Sequence, residues 1–219
     1  MELKSKIINK VSKCSRDRKL DQFYNVLKPV SHDRVLDVGI TNSMYHKFEN
    51  YFLTQYPHKE MITGLGVGDL SNAQKLFSQS KIISYDWLPD RKFPFDDKQF
   101  NVLHSNAVIE HVGDYEDQKA FLKEMVRVSS KGMATTPNKY FPIETHYKLP
   151  LIHWNDKLFN DYREKHPRSD NLVLLSKNDL VNMCEELEIP NYKIVGNKFL
   201  GVDMTLSLFW ANNKSDLHF

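Results

Sequence analysis

Strand and helix patterns alternate along this chain, and no other feature limits the fold as much. Residues 34–39 form an apolar, β-branched run that halts at a glycine, the pattern of a buried strand. Thr41, Asn42 and Ser43 follow, all good helix N-cap types, and then Met44, Phe48, Tyr51 and Phe52 recur at helical spacing. Residues 60–67 read as a second strand and 70–77 as a short helix. Residues 81–86, 100–106 and 132–136 read as three more strands. Asp114 with Asp117 has the form of a capping box and opens a helix whose Phe121, Met125 and Val128 share one face. Ser176 with Asp179 opens another, which runs to Leu187. The extended runs 192–199 and 204–210 flank a turn at Gly201 and read as a hairpin. Alternation of this kind predicts an α/β fold, a doubly wound and mostly parallel seven-stranded sheet whose C-terminal hairpin adds an antiparallel strand.

A length of 219 residues suits a single domain spanning 1–219. Residues 1–19 then form a basic N-terminal extension, expected to be a solvated helix face, and residues 137–175 an aromatic insertion. That insertion is punctuated by prolines and rich in Tyr, Phe, Trp and His, so it is expected to cover the carboxyl ends of the strands. Lys plus Arg is 30 and Asp plus Glu is 28, a net charge of +2, which argues against a dedicated nucleic-acid binder. The two cysteines, Cys14 and Cys184, lie far apart with no Cys/His pairing, so neither a disulfide framework nor a metal site is expected. No secretory signal and no membrane-spanning apolar run is read, and a soluble, cytoplasmic protein without membrane insertion is the expectation.

In an open parallel sheet, ligands bind beyond the carboxyl ends of the strands at the switch point. The turn at residues 37–43 belongs there. Its glycine lets a ligand approach the backbone, and a helix N-terminus beyond it offers free N–H groups. The three-glycine dinucleotide fingerprint and the Gly-Lys-Ser/Thr phosphate loop are both absent, which excludes NAD and ATP as leading candidates.

Three segments then carry a resemblance. Residues 34–39 look like a cofactor loop, residues 93–102 (FPFDDKQFNV) are similar to a segment preceding strand four, and residues 105–112 (SNAVIEHV) match the stretch that follows it. Together they resemble the class I S-adenosylmethionine-dependent methyltransferases that act on small molecules, over roughly residues 20–211. Residues 135–142 and 149–154 are like one subgroup, often associated with cell-surface sugar or polysaccharide tailoring. The resemblance implies a Rossmann-like fold, S-adenosyl-L-methionine as cofactor and a small-molecule acceptor, most readily a hydroxyl. It assigns Asp37, Gly39 and Thr41 to the cofactor loop, Asp86 and Trp87 to the adenine, and Asn106 to the sulfonium. Two positions depart from the family. Thr41 and Ser43 stand where later loop glycines are usual, and Gly66 stands where an acid usually clamps the ribose, leaving Asp69 as the nearest carboxylate. A degenerate, non-catalytic fold kept as an assembly partner is the alternative those departures suggest.

Hydroxyl methylation calls for a general base. His146, beside Glu144 in the aromatic insertion, is the first candidate and His111 the second. His104, inside strand four, is expected to be a core histidine. Tyr140, Phe141, Glu144 and Trp154 are the candidate acceptor contacts. No acid pair ends strands four and five, so no magnesium-dependent mechanism is expected.

Overall fold

The structure is a computed structural model, which describes residues 2–42, 48–88, 90–144, 146–167 and 172–219. A seven-stranded sheet runs through its centre. Its strands are β1 (Val35–Ile40), β2 (Ile62–Gly66), β3 (Lys81–Ser84), β4 (Phe100–Asn106), β5 (Ser129–Pro137), β8 (Asn191–Phe199) and β9 (Val202–Ala211), in the spatial order β3-β2-β1-β4-β5-β9-β8. The first five are mutually parallel, β9 lies antiparallel to β5, and β8 pairs antiparallel with β9. Chain order reverses between β1 and β4, which places the switch point at their carboxyl ends. A separate two-stranded ribbon joins β6 (Ile143–Glu144) to β7 (Leu149–Pro150).

Among the described residues six helices accompany the sheet: α1 (Glu2–Leu27), α2 (Tyr51–Gln55), α3 (Ser71–Leu76), α4 (Tyr115–Val128), α5 (Asp156–Lys165) and α6 (Lys177–Glu186). Both expected capping boxes are present, at Asp114/Asp117 and Ser176/Asp179. Each satisfies two backbone donors that a helix N-terminus otherwise leaves open. Helix α4 buries Phe121, Leu122, Met125 and Val128 against one face of the sheet, at about 1.5–3 kcal/mol for each large apolar side chain. Phe23 and Leu27 of α1 pack on the other face with Phe52, Val35 and Phe209.

Two local readings are corrected. The basic segment 1–19 is helical but not wholly a solvated face, because it is part of α1, continuous from Glu2 to Leu27, and its Lys19 is buried. The helix after β1 does not use Asn42 as its cap. Asn42 Oδ1 instead accepts from the N–H groups of Asn72 and Ala73 at the start of α3, and the described helix begins at Tyr51 behind a left-handed Asn50. Ser43 and Met44 lie outside the described residues.

The insertion 137–175 is folded rather than an open loop. It contains the β6–β7 ribbon, a 3-10 turn at Ile152–Trp154 and α5. Its ends are tied to each other and to the domain. Lys139 N–H donates to the Leu175 carbonyl between the two ends, while Asn138 N–H donates to the Met204 carbonyl, Val173 N–H donates to the Glu110 carbonyl, and Gln118 Nε2 donates to the Val173 carbonyl.

Candidate active site

Sheet register brings the polar residues of the switch point together. Asp37 of β1 lies beside His104 of β4, and His104 Nδ1 donates to Asp37 Oδ1 at 2.7 Å. Phe52 stacks on the imidazole at 4.0 Å between ring centres, and Phe23 meets it edge-on. His104 is thus a satisfied histidine of the wall, as its strand position suggests. Two residues further toward the carboxyl end of the strands, Asn106 of β4 pairs with Thr135 of β5. Asn106 Oδ1 accepts from Thr135 Oγ1 at 2.8 Å and from Lys19 Nζ at 2.6 Å. With its oxygen engaged twice, Asn106 turns its amide nitrogen to the remaining space as a donor. Burial lowers the Lys19 pKa to about 8, and the charge on Arg16 acts in the same direction while Glu110 opposes it. Burial also lowers the pKa of Arg16, whose Nε has no partner.

Gly39 divides the space above these residues. Its φ of +104° lies where side chains are rarely found, and a Cβ there would stand 2.3 Å from Cγ2 of Val108. On one side of this contact is a cavity of about 250 Å³ lined by Arg16, Lys19, Asp37, Glu49, His104 and Asn106 among others. Glu49 Oε2 is buried there without a partner. On the other side is a cavity of about 380 Å³ with Leu65, Tyr85, Trp87, Phe93, Val112 and Phe121 in its walls. Trp87 meets Phe121 edge-on at 5.0 Å, and its indole N–H is buried with no acceptor. Gly39, Thr41 and Val108 border both cavities.

Gly66 has a packing reason. The register of β1 on β2 shifts between Val38 and Ile40, and the shifted Ile40 carbonyl lies 2.0 Å from where a Cβ on Gly66 would be. No side chain fits at the position where the family's acid is usual. Asp69, the nearest carboxylate, accepts from the N–H and the hydroxyl of Ser71, which hold its pKa low. It is exposed, and the lining of neither cavity includes it. Asp86 is also exposed, with Oδ1 accepting from Gly68 N–H at 3.4 Å. Thr41 is fixed through its backbone, which exchanges hydrogen bonds with the Asn50 amide.

The second group of candidates gathers after β4 and β6. Glu144, buried, accepts from His146 Nδ1 at 2.8 Å and from the backbone N–H groups of His146 and Tyr147. Burial alone would raise its pKa, but these donors outweigh it and hold the group below the usual carboxylate range. The rings of His146 and His111 meet edge-on at 5.2 Å, and His111 lines the larger cavity. Glu110 lies against them, fully buried, with neither carboxylate oxygen accepting a hydrogen bond and Oε1 4.0 Å from His111 Nε2; burial raises its pKa, and the neighbouring imidazoles oppose the rise. The other acceptor candidates stand apart. Phe141 is buried edge-on to Phe199, and its carbonyl accepts from His153 Nε2. Tyr140 and Trp154 are exposed, and none of the three lines either cavity.

Arg16, Lys19, Glu49 and Glu110 were not foreseen from the sequence. The first two sit in a segment that reads as a solvated charged face, and only the docking of α1 brings them to the switch point. Glu110 carried a signal, being an acid in an otherwise apolar stretch just past strand four.

Comparison with known proteins agrees with this geometry. Residues 36–134 match the family model described as a methyltransferase domain. No curated protein matches the chain by sequence. Among solved structures, the chain is similar to a SAM-dependent methyltransferase from Aquifex aeolicus, with 12% identity, a TM-score of 0.51 and coverage of 89% of this chain and 87% of that one. A methyltransferase from Mesorhizobium loti described as S-adenosylmethionine-dependent gives 12% identity, TM-score 0.54 and coverage of 81% and 90%. A phosphoethanolamine N-methyltransferase of Haemonchus contortus, solved with phosphomonomethylethanolamine and S-adenosylhomocysteine, gives 10% identity, TM-score 0.56 and coverage of 82% and 38%. At such identities the structural likeness speaks for the fold. Among the described residues, no helix is long and apolar enough to cross a membrane.

Proposed function

We propose that the chain, whose residues 36–134 match a methyltransferase domain, is a class I, S-adenosylmethionine-dependent enzyme that methylates a hydroxyl of a small-molecule acceptor bound beside His111 and His146. S-adenosylmethionine supplies an electrophilic methyl group on a sulfonium. The residues fit that cofactor. Its carboxylate suits the cavity in which Lys19 and Arg16 are buried cations with too few anions, and its ammonium suits Glu49, whose Oε2 lacks a partner, beside Asp37. Its adenine suits the apolar cavity, where Trp87 offers both a ring and an unused N–H, with Asp86 at the rim. Gly39 admits the chain between the two, and Asn106 presents an amide donor where they meet. Asp69 and Thr41 are the polar groups nearest the ribose; with Gly66 occluded, the usual carboxylate clamp is replaced by weaker rim contacts.

The observation that carries the acceptor reading is the Glu144–His146 pair. Glu144 holds the Nδ1 proton of His146, which leaves Nε2 as the acceptor nitrogen on the side of His111 and Glu110. An oriented imidazole of this kind takes the proton of a reacting hydroxyl. Sugars are the first acceptors to try, given the subgroup that residues 135–154 resemble.

The test is methyl transfer from tritium-labelled S-adenosylmethionine to a panel of sugar and polyol acceptors, set against amines. Label on a hydroxyl is expected. His146→Ala should lower turnover by about 100-fold or more while S-adenosylhomocysteine affinity stays unchanged. Label on amines alone, or a His146→Ala variant with normal turnover, refutes the reading.

A further inference from the structure

We propose that Glu110, His111 and His146 bind a divalent first-row transition ion, with zinc as the reference, whose open positions take the oxygen atoms of the acceptor. One ligand atom from each of the three residues lies within 4.8 Å of the others. Ligand pairs around a tetrahedral ion at about 2.0–2.2 Å stand roughly 3.3–3.6 Å apart, so rotations of the imidazoles and the carboxylate that bring these atoms together by about 1 Å close the site. Two imidazoles and one carboxylate are a donor set that suits zinc, iron or manganese and leaves positions open for a substrate.

Two further observations point to a ligand. Glu110 is fully buried, yet both of its carboxylate oxygens lack a hydrogen-bond partner, an arrangement that a buried carboxylate rarely tolerates without a cation. His146, in turn, is oriented as metal-bound histidines are. Its Nδ1 proton goes to the buried carboxylate of Glu144, which fixes the tautomer and puts the ligating lone pair on Nε2. The two ligand-bearing segments are held in place independently of any ion. Val173 N–H ties the insertion to the Glu110 carbonyl, and two backbone N–H groups pin Glu144. The sequence hid the site because its ligands come from separate segments and follow no Cys/His spacing. His111 borders the larger cavity, so an acceptor with two adjacent oxygens, such as a vicinal diol, is the chemical class that would complete the coordination.

This deepens the acceptor reading above and rests on it for the role of the ion: with the ion bound, His146 Nε2 would be a ligand rather than the proton acceptor, and the ion would acidify the acceptor hydroxyl in its place, but binding of the ion requires neither cofactor nor acceptor. The intact chain is loaded with Zn²⁺, or with Co²⁺ as a spectroscopic probe, desalted, and measured by elemental analysis and visible absorption. One equivalent of metal is expected, with cobalt bands of a low-coordinate nitrogen and oxygen site. Glu110→Gln, His111→Ala and His146→Ala should each lose the equivalent, and Glu144→Gln should bind about 10–100-fold more weakly. S-adenosylhomocysteine binding by each variant reports that the fold is intact. If Glu110→Gln fails that control, the two histidine variants decide alone. Wild-type protein without bound metal overturns the proposal, as does metal retained by the histidine variants, which would be adventitious binding elsewhere among the nine histidines.

Discussion

The two cavities that Gly39 separates are built on opposite principles. The smaller one, under α1, buries Lys19, Asp37 and His104 and partly buries Arg16 and Glu49, so its walls carry charge that the protein alone does not fully satisfy. The larger one, between β2, the segment after β3 and α4, is walled by Leu65, Tyr85, Trp87, Phe93, Val112 and Phe121. An unsatisfied buried charge destabilises the empty protein and is relieved only when a ligand supplies the counter-charge. An apolar wall has no such debt and binds by area and shape. A ligand spanning both must be zwitterionic at one end and flat and aromatic at the other, which matches the methionine and adenine halves of S-adenosylmethionine.

Blocking the junction should abolish the distinction altogether. Gly39→Val places a side chain 2.3 Å from Val108 at a strained φ, and a loss of ~100-fold or more in S-adenosylhomocysteine affinity is expected by calorimetry. Unchanged affinity would mean that the two cavities do not hold one ligand.

Lys19→Met should split binding from stability. The folded protein holds Lys19 at about 8 against an ordinary 10.5, so burying the charged form opposes folding by about 3 kcal/mol at neutral pH. Between those two values the unfolded chain binds more protons than the native one. Wild-type stability therefore rises with pH across that window and lacks the gain below about 8. Denaturant unfolding of Lys19→Met should show a more stable protein at pH 7 without that rise, while cofactor affinity falls by roughly 10–100-fold with the loss of a charge-assisted contact.

On the apolar side the effects are smaller and independent of pH. Trp87→Ala should weaken S-adenosylhomocysteine about 10-fold at pH 7 and pH 9 alike. A pH-dependent loss would place the charged end of the ligand on the wrong side of Gly39. The smallest change belongs to Asp69→Ala. As an exposed rim group it should alter affinity by ~2–3-fold, alongside a small loss of stability from its hydrogen bonds to Ser71 at the start of α3. A collapse of binding in Asp69→Ala would restore it as the principal ribose contact.

The same contrast explains what the sequence reveals. Strand patterning, the two capping boxes and the hairpin are local signals, and the sheet carries all of them in the expected order. Asp37, Gly39, Trp87 and Asn106 are legible because strand ends at the switch point are fixed by topology, and each lines a cavity. Lys19 and Arg16 are not, since their pattern along α1 is the same whether they meet water or a pocket. Gly66 reads as a lost clamp but is a packing requirement, set by a one-residue shift in the register of its neighbour. The Glu110–His111–His146 grouping depends on how the insertion folds back, which no local pattern encodes.

Calorimetric titration of the intact chain with S-adenosylhomocysteine, from pH 7 to pH 9.5 in buffers of different ionisation enthalpy, tests the central claim most directly. One site per chain is expected, with affinity that weakens as pH rises through about 8 and with proton uptake on binding above that value, as the ligand carboxylate recharges Lys19. Absence of binding at millimolar ligand, or binding with neither pH dependence nor proton uptake, would contradict the account.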